Sequence, residues 1–179
     1  MSGKSTKIAV GGVFSALCLL LMLMSGMVPF STYAIPALAG AMLIAVLIEA
    51  GRKAAVMVYI SVSLLSIFAA PDKEAAMIFV SLCGYYPLLK EWLEQLSSRM
   101  IEYILKFAVF NAAIVLGYAA ITRIFGFPSI TVDDMGTFGR YTALVLLLAG
   151  NVVFFIYDIA LTRFIFTYLN WFRPKFLRR

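Results

Sequence analysis

From Ile8 to Val28 the chain runs without a charged residue, behind a basic flank carrying Lys4 and Lys7. An α-helix rises 1.5 Å per residue, so about 20 apolar residues cross a hydrocarbon core of about 30 Å. This run has the length of a membrane-spanning helix, more than a buried helix of a soluble domain requires. A signal peptide would share the basic start. The apolar stretch is long, however, and Met24-Ser25-Gly26 supplies no A-x-A cleavage pattern, so a retained helix is predicted.

The same pattern recurs along the chain, with predicted spans at residues 8–28, 34–50, 54–70, 75–89, 101–124 and 141–161. Charged residues make up only 13% of the sequence, against roughly 25% in a soluble domain. An all-α integral membrane protein follows: a six-helix bundle forming a single domain over residues 1–179, with no room for a second folded unit. Pro71-Asp72-Lys73-Glu74 reads as a polar turn. Pro87, after Gly84-Tyr85-Tyr86, should kink or end the fourth span. Lys90 to Arg99, KEWLEQLSSR, sets Trp92, Leu93 and Leu96 among charges. That spacing predicts an amphipathic interfacial helix between spans four and five, or a solvated helix end.

Lysine and arginine give the orientation. With the N-terminus inside, twelve of the fifteen fall on the inner side, and only Lys73, Arg123 and Arg140 fall outside. The positive-inside rule then places both termini in the cytoplasm, with the chain in the cell membrane. The net charge of +6 reflects this retention bias, and no nucleic-acid module accompanies it. Cys18 and Cys83 both lie in apolar runs, where they read as small packing residues and not as a disulfide framework.

Chemistry-bearing motifs are sparse. Histidine is absent, and there is no Walker loop, metal-ligand cluster, paired catalytic carboxylates or nucleophile elbow, so no enzyme activity, cofactor or metal is expected. Glu49, Glu102 and Asp158 fall near the predicted inner ends beside Arg52, Lys106 and Arg163. Interfacial ion pairs are the favoured reading, ahead of a proton relay. Asn111 and Asn151 lie mid-span, where an unpaired amide is costly; they either bond one another or line a small cavity.

On the predicted outer side, Tyr33, Tyr118, Arg123, Phe127, Arg140 and Tyr141 gather ring faces and charges, with Asn151 as a floor. A small-molecule pocket needs that mixture, although an aromatic interfacial belt has the same composition. The longest loop, Phe125 to Gly139, carries Gly126, Gly136 and Gly139 as possible hinges and is a candidate lid. In the first helix, Ala9, Gly12 and Ala16 form a smooth strip at helical spacing. It serves either a partner helix or the packing of the bundle itself.

The size, the six spans with both ends inside, the opening Lys7, Ala9, Gly12 and Ala16, and the second span beginning Tyr33-Ala34-Ile35-Pro36 together resemble the substrate-binding S component of an energy-coupling-factor transporter. The resemblance implies a membrane subunit that binds a vitamin or other micronutrient from the outer side. Its partners would be a transmembrane coupling subunit and ATPase subunits. Alanines at four-residue spacing on the first helix contact the coupling subunit in that family, and Gly12 and Ala16 occupy that place here, with Gly replacing one Ala. No ligand-specific signature is present, so no ligand residues carry over. Two other readings compete. One is a structural or assembly membrane protein without ligand, and the other a small secondary carrier, which is the least favoured because it would want a mid-membrane acid and the sequence reading places none there.

Overall fold

A computed structural model describes residues 4–27, 31–96, 98–125 and 136–172. Seven α-helices account for most of them: α1 (Lys4–Met24), α2 (Ser31–Ala50), α3 (Arg52–Ala69), α4 (Lys73–Ile78), α5 (Tyr86–Leu93), α6 (Arg99–Phe125) and α7 (Gly136–Thr167). Two π-helical segments interrupt or extend them, at Phe79–Cys83 and Tyr168–Phe172. No strand occurs among the described residues. Among the described residues, four stretches are long and apolar enough to cross a membrane: Ser31–Ala50, Arg52–Ala69, Arg99–Gly117 and Leu144–Trp171. The all-helical class is as the composition predicts, and the long apolar helices are compatible with a multi-pass membrane protein.

Helix α2 is the centre of the bundle. It packs against α1, α3, α4, α5, α7 and the π-helical segment. Its small residues make this possible: Ala41 and Ala45 are buried, Ala37 is half-buried, and Gly40 lies against the Cys83 carbonyl and the Tyr157 hydroxyl. A side chain at Gly40 would occupy the space of that carbonyl, so two backbones meet there as closely as packing allows. One core gathers Met22, Leu43, Val46, Val62 and Phe79 around α2, and a second gathers Ile44, Tyr86, Phe110, Phe154 and Leu161. Phe110 and Phe154 stack with ring centroids 4.4 Å apart, and Tyr86 meets Phe154 edge-on at 4.9 Å. Cys18 and Cys83 are free and buried in the first core, so they act as packing residues.

The turns fix the order of the helices. Gly51, at φ +90°, is a single residue between α2 and α3, in a conformation that strains any side-chain-bearing residue. At the other end of α3, Asp72 caps α4 by accepting from the Ala75 amide at 3.0 Å. It also accepts from the Thr32 hydroxyl at 2.8 Å, which ties the start of α2 to the start of α4. Lys73 turns back and donates to the Ile67 and Phe68 carbonyls at 2.9 and 3.2 Å, satisfying orphan acceptors at the end of α3.

Several boundaries differ from the sequence expectation. Residues 75–89 do not form one helix: α4 gives way at Phe79 to the π-helical segment, whose Gly84 amide bonds the Phe79 carbonyl at 2.7 Å. The turn at Gly84-Tyr85 falls just ahead of Pro87, which sits in the first turn of α5, where its missing N–H costs no hydrogen bond. Lys90 to Arg99 does not form a helix of its own either. Lys90 belongs to α5 and is buried, residues 94 and 95 form a turn, and α6 starts at Arg99. Helix α7 exceeds the expected 141–161 at both ends, so Gly136 and Gly139 of the candidate lid are helical and Phe125 closes α6. The remainder of that loop, with Gly126 and Phe127, lies outside the described residues.

Candidate functional site

Three ladders of four-residue spacing converge on one point. On α5 and the turn that follows it, Tyr86, Lys90 and Glu94 succeed one another at one helical turn; on α6, Glu102, Lys106 and Phe110; on α7, Phe154, Asp158 and Thr162. Residues four apart lie one above the other on a helix face. Where these faces meet, the aromatic rungs build the second core and the charged rungs form a cluster at its edge.

Asp158 is the hub. Its Oδ1 accepts from the Tyr86 hydroxyl at 2.7 Å and from the Lys90 ammonium, and its Oδ2 accepts from Lys106 Nζ at 3.1 Å. Lys90 also donates to the Asp158 backbone carbonyl at 3.2 Å, and the Thr162 hydroxyl donates there at 3.0 Å. Each lysine has a second acid: Lys90 meets Glu94 at 2.7 Å, and Lys106 meets Glu102 at 2.7 Å and Glu94 at 3.5 Å. The lysine side chains are 1% and 3% exposed and that of Asp158 is 7% exposed. At such burial an isolated ammonium would be strongly penalised. Two carboxylates on Lys90 and three on Lys106 offset that penalty and tie α5, α6 and α7 together.

Asp158 therefore departs from its expected pairing. Sequence placed it near an inner helix end beside Arg163, and α7 continues past both residues to Thr167. Its partners come from α5 and α6, and Arg163 is not among them. The expected Glu102–Lys106 pair is present.

Beside the cluster opens a cleft of about 550 Å³ between the start of α6 and the later turns of α7. Glu94, Glu102, Lys106 and Asp158 form its charged wall, and Arg99, Tyr103, Thr162 and Arg163 line the remainder. A smaller cavity of about 240 Å³ lies behind Glu94, walled by Leu47, Ile48, Pro87, Glu91 and Ile165. It places the end of α2 and the end of α5 on the same side of the bundle as the later turns of α7.

The asparagines form a reciprocal pair. Asn111 Nδ2 donates to Asn151 Oδ1 at 3.1 Å, and Asn151 Nδ2 donates to Asn111 Oδ1 at 3.2 Å. Each also donates to the carbonyl one turn earlier in its own helix, Phe107 and Leu147, at 2.8 Å. All four amide hydrogens are thus engaged, the arrangement of a polar clasp between α6 and α7.

Of the residues expected to line an outer pocket, Tyr33 is 70% exposed on the first turn of α2, and no hydrogen bond or ring contact joins it to Asn151. Arg123 is exposed in the last turn of α6. Tyr118 lies in α6, and Arg140 and Tyr141 lie in α7, but the placement of their side chains is outside the described structure, as is Phe127 altogether. On α1 the small residues divide by face. Gly11, Cys18 and Met22 turn into the bundle, with Gly11 against Val58, whereas Ala9, Gly12 and Ala16 are exposed and a side chain at Gly12 would meet open space.

The charge cluster escaped the sequence reading, which paired each acid with the nearest base along the chain. The informative signal was the set of four-residue steps that place Tyr86, Lys90 and Glu94 on one face while Asp158 stands alone in an apolar helix. Comparison with protein-family models, curated proteins and solved structures finds no match.

Proposed function

We propose that this chain is the membrane-embedded, solute-binding component of an uptake system, energised by separate ATPase subunits that it engages through a membrane coupling subunit. The carrying observation is the outward face of α1: Ala9, Gly12 and Ala16 are exposed while Gly11, Cys18 and Met22 seat the same helix in the bundle. A small-residue strip that the bundle itself does not use leaves room for close approach by another helix. In this reading α1 and the broken α4–α5 segment cross the membrane beside the four long helices. Six crossings result, with both termini on the cytoplasmic side of the cell membrane. The half-exposed Trp92 anchors the amphipathic end of α5 at the interface. A small, vitamin-like micronutrient enters from the outer side, past Tyr33 and Arg123.

The test is coexpression with candidate coupling and ATPase subunits. Gly12→Leu with Ala16→Leu adds bulk to the strip, and overpacking a tight contact costs about 1–3 kcal/mol. Complex yield should fall while the isolated chain keeps its thermal midpoint. Loss of the midpoint would return the strip to internal packing and remove the support for a docked partner.

A second reading, a small secondary carrier, draws on the interior position of Asp158, since acids within a span commonly serve ion coupling. Solute uptake by the chain alone in vesicles, abolished by Asp158→Asn with binding intact, would favour it.

A further inference from the structure

The charges around the cleft are unevenly paired. Arg99, Lys106 and Arg163 line it together with Glu94, Glu102 and Asp158, and Lys90 lies buried behind Asp158. The two lysines take up the three carboxylates, while neither arginine makes an ion pair among the described residues. Two exposed guanidinium groups thus line the same cleft with no acid assigned to them. Guanidinium forks match the oxygens of a phosphate or carboxylate, so an anion entering the cleft would meet two unpaired forks.

The surroundings of the cleft indicate where such an anion comes from. Met100, Ile104, Ile156 and Ile159, on α6 and α7, are 76%, 63%, 59% and 45% exposed. A polar cleft opening beside apolar helix faces has the two-part character of a phospholipid. We infer that the cleft between α6 and α7 binds an anionic phospholipid carrying one phosphodiester charge, of the phosphatidylglycerol type. The phosphate sits between Arg99 and Arg163, the headgroup hydroxyls reach Glu102 and Thr162, and the acyl chains lie along α6 and α7. Basic pockets between membrane helices are a recognised form of headgroup site. The inference is independent of any docked subunit or transported solute.

The experiment uses the full chain purified in mild detergent, with native mass spectrometry for retained lipid and thermal unfolding as the second readout. Phosphatidylglycerol, phosphatidylcholine and glycerol phosphate are compared as probes. Wild type should retain one phosphatidylglycerol in preference to phosphatidylcholine and unfold at a higher temperature in its presence. Loss of one charge-assisted contact should weaken retention about tenfold, so Arg99→Gln and Arg163→Gln each reduce it and the double variant abolishes it. Arg99→Lys should recover part of the binding. Arg52→Gln with Lys53→Gln removes two exposed charges from the start of α3, away from the cleft, and should leave retention unchanged. Equal retention by the Arg99→Gln/Arg163→Gln variant and wild type would overturn the inference, as would an equal loss in the Arg52→Gln/Lys53→Gln control. Stabilisation by glycerol phosphate matching that by the lipid would also overturn it, reassigning the cleft to a soluble phosphate compound. If the double variant fails to fold, the single variants and the preference of wild type among the three probes decide.

Discussion

Replacing Asp158 perturbs the charge cluster at its hub, and the contacts allow the cost to be worked out. Its carboxylate accepts from Tyr86, Lys90 and Lys106, all three buried. A hydrogen bond to a charged group contributes about 1.5–3 kcal/mol and a neutral one about 0.5–1.5 kcal/mol. In Asp158→Asn the single amide oxygen still accepts on one side, but the NH2 group replaces the other acceptor and both lysine contacts lose the carboxylate charge, at no less than about 1 kcal/mol each. Neither ammonium is stranded, because Glu94 remains 2.7 Å from Lys90 and Glu102 remains 2.7 Å from Lys106. The expected destabilisation is therefore at least about 2 kcal/mol.

Asp158→Ala should cost more. It leaves the Tyr86 hydroxyl without its acceptor, and Glu94, 38% exposed, compensates Lys90 poorly across solvent. Removing one partner of a buried ion pair costs about 3–5 kcal/mol. Unfolding in mixed micelles by denaturing detergent, followed by tryptophan fluorescence and circular dichroism, would give both values. A change below about 0.5 kcal/mol for Asn, with Ala no worse, would place the site among solvated surface positions and refute the clasp.

The asparagine clasp predicts strong coupling: Asn111→Leu and Asn151→Leu should each destabilise by about 0.5–2 kcal/mol, and the double variant by less than their sum. Additive losses in that cycle would mean that the two amides act separately. For orientation, Cys at Glu74 should react with an impermeant thiol reagent from outside intact cells, whereas Cys at Arg99 should react only after permeabilisation. The buried Cys18 and Cys83 give little background, and the reverse labelling would invert the membrane topology.

Much of the fold was legible because its cause is local. Long uncharged runs have one economical solution in a bilayer, a helix that satisfies its own backbone, and Ser31–Ala50 and Arg99–Phe125 follow the sequence limits to within a few residues. The cause is local too in α2, where Ala37, Ala41 and Ala45 stand four residues apart and let neighbouring helices approach closely, and α2 is the centre of the bundle. What was not legible depended on backbone choices that compete at small energy differences. A π-helical step at Phe79–Cys83 rotates everything after it, carrying Lys90 from the expected interface into the core. The extension of α7 beyond Leu161 came from apolar residues that suit either a helix end or a helix interior.

Sequence by itself determined that this chain is helical and rich in apolar runs of membrane-crossing length, since hydropathy and helical spacing act over one or two turns. It also specified each ladder of four-residue steps. Only the tertiary structure decided which ladders meet. Lys90, Lys106 and Asp158 come from three helices, with 52 and 68 residues of chain separating the aspartate from its two lysines. Coulomb attraction in a buried site depends on separation in space and on the dielectric around it, neither of which is written in the order of residues. The same holds for α1: the sequence placed Ala9, Gly12 and Ala16 on one strip, but only the packing of Cys18 and Met22 into the core turned that strip outward.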